Sequence, residues 1–315
     1  MIVTVTLNAA LDRSLTVPIF QLGHRHRSSD VLTLAGGKGI NVARALKRLE
    51  VPVVATGLAG GRTGTRIVEE LTAEAILNDF VRIADESRTS TAVLDPTSGT
   101  YTEINEWGPK VTETELGTLL EKLQYLSRGA DVVVVAGSLP RGVADGFYAE
   151  LIRDLARRGV RVVLDSEGEP LRLGVDAEPW LISPNQAEAE QLVGQELEDD
   201  DDFLMALDRI ADMGARNVHI THETGCFALV REERQTRRYR ALSPQLEPVS
   251  VLGGGDVLLA QWLAAVLDAR PADEALRLAV GAGAASVLEV GAGRFDPREA
   301  ARLAGLVELH ELQPV

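Results

Sequence analysis

The sequence predicts an α/β fold: a mostly parallel sheet flanked by helices on both faces, with a small β-sheet lid. Three observations predict it. Short β-rich runs alternate with longer helical patterns, and alternation of this kind builds a parallel sheet. Several short runs, such as Val132–Ala136, are apolar at successive positions, as strands covered on both faces are. Two stretches, Leu15–Leu34 and Thr89–Glu106, carry β-rich pieces with no helix between them.

Read along the chain, strands are expected at Ile2–Leu7, Pro52–Thr56, Val132–Ala136, Val160–Leu164, Trp180–Ile182, Val218–Thr221 and Phe227–Val230. Helical patterns fall at Ile40–Leu49, Thr65–Ala75, Glu113–Leu126, Gly146–Arg157, Asp202–Met213, Val257–Asp268 and Asp273–Leu288. The pieces "SSDVLTL", "STAVLD" and "TYTEIN" break this rhythm. They are expected to pair into a small antiparallel sheet, formed by about residues 12–35 and 88–107. A sheet projecting beside a cleft suits a lid; two edge hairpins without a role are the alternative. The whole span 1–315 is expected to form one domain.

Composition narrows the function classes. The apolar content of 45% can fill a sizeable core, and the longest apolar runs are too short to cross a bilayer. The first ten residues lack a basic region followed by an apolar stretch, so no signal peptide is expected. A single cysteine, Cys226, excludes an internal disulfide and suits a reducing, cytoplasmic setting. The formal charge of −15 argues against nucleic acid or anionic lipid as partners. It leaves room for a small anionic substrate held by a few local cations. The acidic run Glu198–Asp202 precedes a helical pattern, where carboxylates suit the N-terminus; a metal site is the alternative.

Two glycine clusters carry the chemical signal. Neither the P-loop nor the dinucleotide glycine signature occurs. "AGGKGINVARAL" (Ala35–Leu46) is a Gly-rich turn feeding a helix, where the backbone can approach a ligand closely. Asn41 offers donors and acceptors to a polyhydroxyl compound, with a helix cap as its structural alternative. "LGGGDVLLA" (Leu252–Ala260) places Gly253, Gly254 and Gly255 just before a helix, with Asp256 beside them. Consecutive amides there form a pocket for negative charge. A carboxylate beside that pocket can take a proton from an attacking hydroxyl, a pairing that phosphoryl transfer requires.

With "AGSLPRGV" in the middle and "SPNQAE" after it, these clusters come in the order and spacing of a known family. The chain resembles the ribokinase-like, or phosphofructokinase-B, family of sugar kinases from Ile2 to about Pro297. "VTLNAALD" and "TEINEWGP" are similar to the branch holding 1-phosphofructokinase, tagatose-6-phosphate kinase and the minor 6-phosphofructokinase. The resemblance implies a ribokinase-like fold and roles position by position. Asp256 matches the catalytic base, and Gly253 and Gly255 its anion hole, with Gly254 between. Asp12 and Asn41 match residues holding sugar hydroxyls, beside Gly36, Gly37 and Lys38. Arg88 matches an arginine for the phosphate already on the substrate, with help from Arg25, Arg27 or Lys38, and Ser138 matches another substrate contact. Asn185 and Glu188 match the motif that orders Mg²⁺ and the nucleotide phosphates through water. Thr221, Glu223 and Gly225 fall in the nucleotide loop, and Gly283 is grouped with them.

The chain departs from the family at several of these places. Gly254 stands where alanine is common, Val257 where a polar residue is, Ser183 where a long one is, and Ser90 where asparagine is. The nucleotide loop reads "THETGC", with Glu223 in place of glycine and one residue fewer. The resemblance implies ATP and Mg²⁺ as cofactors, a sugar phosphate as substrate and a homodimer through the lid sheets. Fructose 1-phosphate is the expected acceptor, with tagatose 6-phosphate or fructose 6-phosphate as alternatives. A sugar-phosphate binding protein without turnover is the reading from another class.

Overall fold

The computed structural model describes residues 1–232, 235–250 and 252–313; Val251, Glu233, Arg234 and the last two residues of the expected 1–315 span lie outside it. The chain opens with β1 (Ile2–Thr6), β2 (Ala10–Thr16), β3 (Asp30–Gly36) and α1 (Lys38–Arg48). Then come β4 (Val53–Gly60), α2 (Gly61–Ala73), β5 (Leu77–Ile83), β6 (Arg88–Asp95), β7 (Thr100–Asn105) and α3 (Glu113–Leu126). The middle holds β8 (Val132–Ala136), α4 (Phe147–Arg157), β9 (Arg161–Asp165), α5 (Gly168–Val175), β10 (Leu181–Ile182) and α6 (Gln186–Val193). The last third holds α7 (Asp200–Met213), β11 (Asn217–His222), β12 (Gly225–Arg231), β13 (Thr236–Leu242), α8 (Gly254–Leu267), α9 (Ala272–Ser286), α10 (Pro297–Ala304) and β14 (Glu308–Leu312).

Ten strands form one sheet in the order β14-β13-β12-β11-β10-β9-β8-β1-β4-β5. The run from β5 to β11 is parallel, and β12, β13 and β14 add an antiparallel edge. Side chains alternate across the sheet. Val132 and Val134 pack in the layer with α1, α8 and α9, whereas Val133 and Val135 pack with α3, α4 and α7. That is why β8 is apolar at every position. The expected helices are all present. Strands β5, β13 and β14 and helices α5, α6 and α10 were not legible: β13 reads "TRRYRAL", with charges on three of its seven positions, and α5, α6 and α10 have eight residues each.

The second sheet has four strands in the order β3-β2-β6-β7. It corrects one expectation: the sheet is mixed, because β2 and β6 run parallel while the outer pairs are antiparallel. These two segments are distant in sequence, and β2 and β6 each follow one of two parallel strands of the large sheet, β1 and β5, so no hairpin joins them. The acidic run also finds a plain use. Asp199 caps α7 by accepting from the amides of Asp201 and Asp202, and no cluster of three metal-ligating side chains occurs among the described residues. No described helix is long and apolar enough to cross a membrane.

The turn from β3 into α1 shows how closely the layers approach. A Cβ on Gly39 would sit 2.4 Å from Thr6 Oγ1 and 3.0 Å from the Val5 carbonyl. Gly39→Ala should therefore lower stability by about 1–3 kcal/mol through overpacking. Urea unfolding reads this directly, and an unchanged midpoint would show that α1 can lift from β1 freely.

Candidate active site

A cavity of about 320 Å³ opens where β1, β8 and β9 of the large sheet end, beneath the second sheet. Parallel sheets present ligand sites at the carboxyl ends of their strands. Register places one row of the second sheet over the cavity: Asp12 pairs with Leu34 and Ser90, and Ser90 pairs with Asn105. Arg88, Ser90, Glu103 and Asn105 all line it.

From below, α1 contributes Lys38 and Asn41, and α8 contributes Asp256. The N-cap of α1 is Gly37 at φ +108, so Asn41 is an interior helical residue and its reading as a cap is overturned. Its Nδ2 donates to Asp256 Oδ2 at 2.8 Å. Gly36 is required by Asp12, whose carboxylate a Cβ there would strike at 1.9 Å. Asn41 and Asp256 thus form a polar floor, and Asp12 faces the same cavity from the second sheet above.

The Gly253 turn is tightly constrained. Gly253 caps α8 at φ +79, and a Cβ on it would lie 2.8 Å from Ala292. The first bond inside the helix runs from the Val257 amide to the Gly253 carbonyl at 3.1 Å. The amides before Val257 belong to the first turn, where helices leave donors unpaired. Gly254 has room for a methyl group, its nearest neighbour lying 3.8 Å from a built Cβ. A glycine there is therefore a choice, while Gly253 is a steric need. A Cβ on Gly283 of α9 would lie 3.3 Å from the Gly254 carbonyl, so the two helices approach closely here.

Electrostatics concentrate at the centre. Asp256 is 6% exposed. Burial, then Asp165, pushes its carboxyl up to about 7, against the pull of Lys38 and Asn41. Burial raises Asp12 to about 6, against Arg88 and Arg44. The Lys38 ammonium lies 2.7 Å from Asp165 and 3.4 Å from Glu188. Burial alone would lower it, but Asp165, Glu188 and Asp256 hold it well above its usual range. Burial also raises Glu188, against Lys38.

Other expected residues separate into groups. Ser138 accepts from Asn8 Nδ2 at 3.1 Å and lines the cavity. Arg88 spends Nε on the Asn8 carbonyl at 3.2 Å and one Nη1 hydrogen on Asn105 at 3.0 Å, which leaves three of its five N–H groups available. Asn185 and Glu188 form a capping box on α6: Asn185 Oδ1 accepts from the Glu188 amide, and Glu188 accepts in return from the Asn185 amide. Thr221 stands beside Gly255 and bridges to Asn185. The "THETGC" stretch folds as a tight hairpin, with Glu223 exposed at a two-residue turn and Gly225 opening β12 at φ +140. Arg25 and Arg27 are both exposed on the loop between β2 and β3, and neither lines the cavity of its own chain.

Asp165, Arg44, Asn8 and Glu103 are site residues that the sequence reading passed over. Asp165 closes an apolar strand at its carboxyl end, a position that topology alone marks. Arg44 lies three residues after Asn41 on one helix, within side-chain reach.

The match to known proteins follows this geometry. The model of the pfkB family carbohydrate kinases matches residues 5–299. The chain belongs to this family. It is 33% identical to the 1-phosphofructokinase of Bacillus subtilis over 94% of this chain and 96% of that one. It is 30% identical to that of Vibrio cholerae over 99% and 98%. Among solved structures, phosphofructokinase-2 of Escherichia coli with substrates and products aligns at TM-score 0.89 with 28% identity, covering 97% and 98% of the chains. Arabidopsis thaliana ribokinase, at 20% identity and TM-score 0.73 over 96% and 98%, shares the fold. This pfkB kinase is a sugar-phosphate kinase, with ATP as the donor its family implies.

The raised carboxyls set a pH dependence of stability. A carboxyl that holds its proton more tightly folded than unfolded weakens the fold as pH rises through its folded value. Asp256, at about 7, should act in this direction. Asp256→Asn should be more stable than the parent at pH 8 by about 1–3 kcal/mol, with the gap narrowing steadily from pH 7 towards pH 4. Urea titrations across this range measure it; a gap that widens on acidification contradicts the assignment.

Proposed function

We propose that the enzyme transfers the γ-phosphoryl group of ATP to the 6-hydroxyl of fructose 1-phosphate, giving fructose 1,6-bisphosphate. One observation carries the reading: a buried carboxylate, Asp256, stands beside the open amides of the Gly253 turn, in the same cavity as Arg88. The 1-phosphofructokinase relatives supply the sugar. Asp256 takes the proton from the attacking hydroxyl, and the amides of Gly253–Asp256 receive the charge on the transferring group. Asp12 and Asn41 orient the sugar. Arg88 grips the distal phosphate with its free guanidinium edge, and Ser138 completes that side.

The residues fit a divalent cation. Asp165 and Glu188 already share the Lys38 ammonium, so the pair holds a cation between α6 and β9. Glu188 would hold Mg²⁺ through water, with Asn185, Thr221 and Gly225 on the nucleotide side; the ion would neutralise phosphate charge. Glu223, at the hairpin tip, faces the nucleotide ribose in this reading. The four-stranded sheet acts as the lid of a single domain. Its other face, with Leu15, Val31 and Val93 in one register row and Ile104 in the next, suits pairing with a second copy, since Val31 and Ile104 are exposed. The E. coli phosphofructokinase-2 solved with fructose-6-phosphate favours that sugar as second reading.

A coupled assay with ATP–Mg²⁺ against fructose 1-phosphate, tagatose 6-phosphate and fructose 6-phosphate tests the choice. Highest kcat/KM on fructose 1-phosphate is expected. Asp256→Asn should lower kcat on that sugar by roughly 10²–10⁴ with modest change in KM; turnover within a few-fold of the parent would leave Asp256 as a helix-terminal carboxylate. Arg88→Ala should raise the KM for the sugar phosphate by roughly ten- to a hundredfold, the worth of one charge-assisted contact, and leave that for ATP nearly unchanged. Equal effects on both would remove Arg88 from the phosphate site.

A further inference from the structure

Arg44 is 2% exposed, and each of its five N–H groups has an acceptor. Nε and Nη2 hold the two Glu74 oxygens at 2.6 and 2.8 Å. Nη2 also donates to the Ala35 carbonyl at 2.6 Å, and Nη1 to the Ala292 carbonyl at 3.0 Å. The fifth bond runs from Nη1 to Asn41 Oδ1 at 3.2 Å. Asn41 then turns its other end, Nδ2, to Asp256 Oδ2.

A carboxamide can present either end to a neighbour. Arg44 has only donors, so it accepts no orientation of Asn41 but the one that faces Oδ1 towards itself. Asp256 therefore always meets an N–H. The same guanidinium holds Ala292, against which Gly253 is packed so closely that a Cβ would not fit. Gly293, at φ +75, packs on the Asn41 backbone from the same loop. We propose that Arg44 is a positioning residue for phosphoryl transfer: it locks the Asn41 amide towards Asp256 and seats the Ala292 loop against the Gly253 turn, with Glu74 at the end of α2 as its anchor. The inference rests on the reading of Asp256 as the base.

Arg44→Lys tests it, since lysine keeps the charge and loses the fork. The Asn41 amide is then free to present Oδ1, which favours a protonated Asp256. The acidic limb of kcat/KM for the sugar phosphate should move up by about 0.5–1 pH unit. At pH 7 kcat should fall about tenfold, with part of the loss regained at pH 9. The other charged groups facing Asp256 are Lys38, Asp165 and Asp12, and the substitution leaves all three in place. The substrate phosphate is common to both proteins, so the difference belongs to the enzyme. A limb at the parent position with activity lowered evenly across pH overturns the proposal. Where Arg44→Lys fails to fold, Glu74→Gln removes the anchor's charge and keeps Arg44. A smaller upward move of about 0.2–0.5 unit then supports the proposal, and an unmoved limb overturns it. If Asp256→Asn keeps both turnover and the limb, the reading of the base fails instead.

Discussion

The buried Arg44 guanidinium joins four parts of the chain: the end of β3 at Ala35, α1 at Asn41, the end of α2 at Glu74 and the Ala292 loop. An unpaired guanidinium in this position would cost several kcal/mol. The segments are therefore obliged to arrive together, each bringing its acceptor. Their arrival fixes the three things a phosphoryl acceptor site needs in one place: the glycine turn before Lys38, the amide beside Asp256 and the wall behind Gly253. Geometry at the catalytic floor is a by-product of satisfying one side chain.

Around that tie, charge is arranged to keep acids and cations interleaved. Asp12 faces Arg88 and Arg44, while Asp165 and Glu188 face Lys38. Each carboxylate sits in a site whose burial opposes its charge, and each is relieved by a cation from another element. The net charge of the protein is −15, yet an anionic substrate meets guanidinium and amide hydrogens on the sides it approaches. Local arrangement, not overall charge, decides what can enter.

Much of this was legible from the chain alone. Val132–Ala136 announces a doubly covered strand, and the Gly-rich turns at Gly36 and Gly253 announce close backbone approach. Less legible was whatever depends on partners distant in sequence. Asp165 gains meaning only when β9 lies beside β8 and Lys38 reaches across from α1. Arg27 lies on the exposed loop between β2 and β3, away from the cavity of its own chain, and sequence position alone does not say where that loop points. The second sheet was read as wholly antiparallel because its pieces resemble hairpins, whereas its two halves meet through parallel pairing of β2 with β6, from segments distant in sequence. Glu223 and the missing residue were both legible as departures, and the structure adds that the loop closes as a tight hairpin.

The capping box on α6 has a consequence for how such sequences are read. Asn185 and Glu188 satisfy each other's backbone at the start of the helix, and the proposed function gives the same two side chains a second role beside a metal–nucleotide complex. Folding and chemistry thus press on the same two letters. A descendant that abandoned turnover would still be selected to keep them, because losing either exposes a helix end. Retention of this pair through a lineage therefore measures the age of the helix rather than the survival of the reaction. Decay would first be visible at positions with no second employer, such as the carboxylate of Asp256, whose burial works against the fold that carries it.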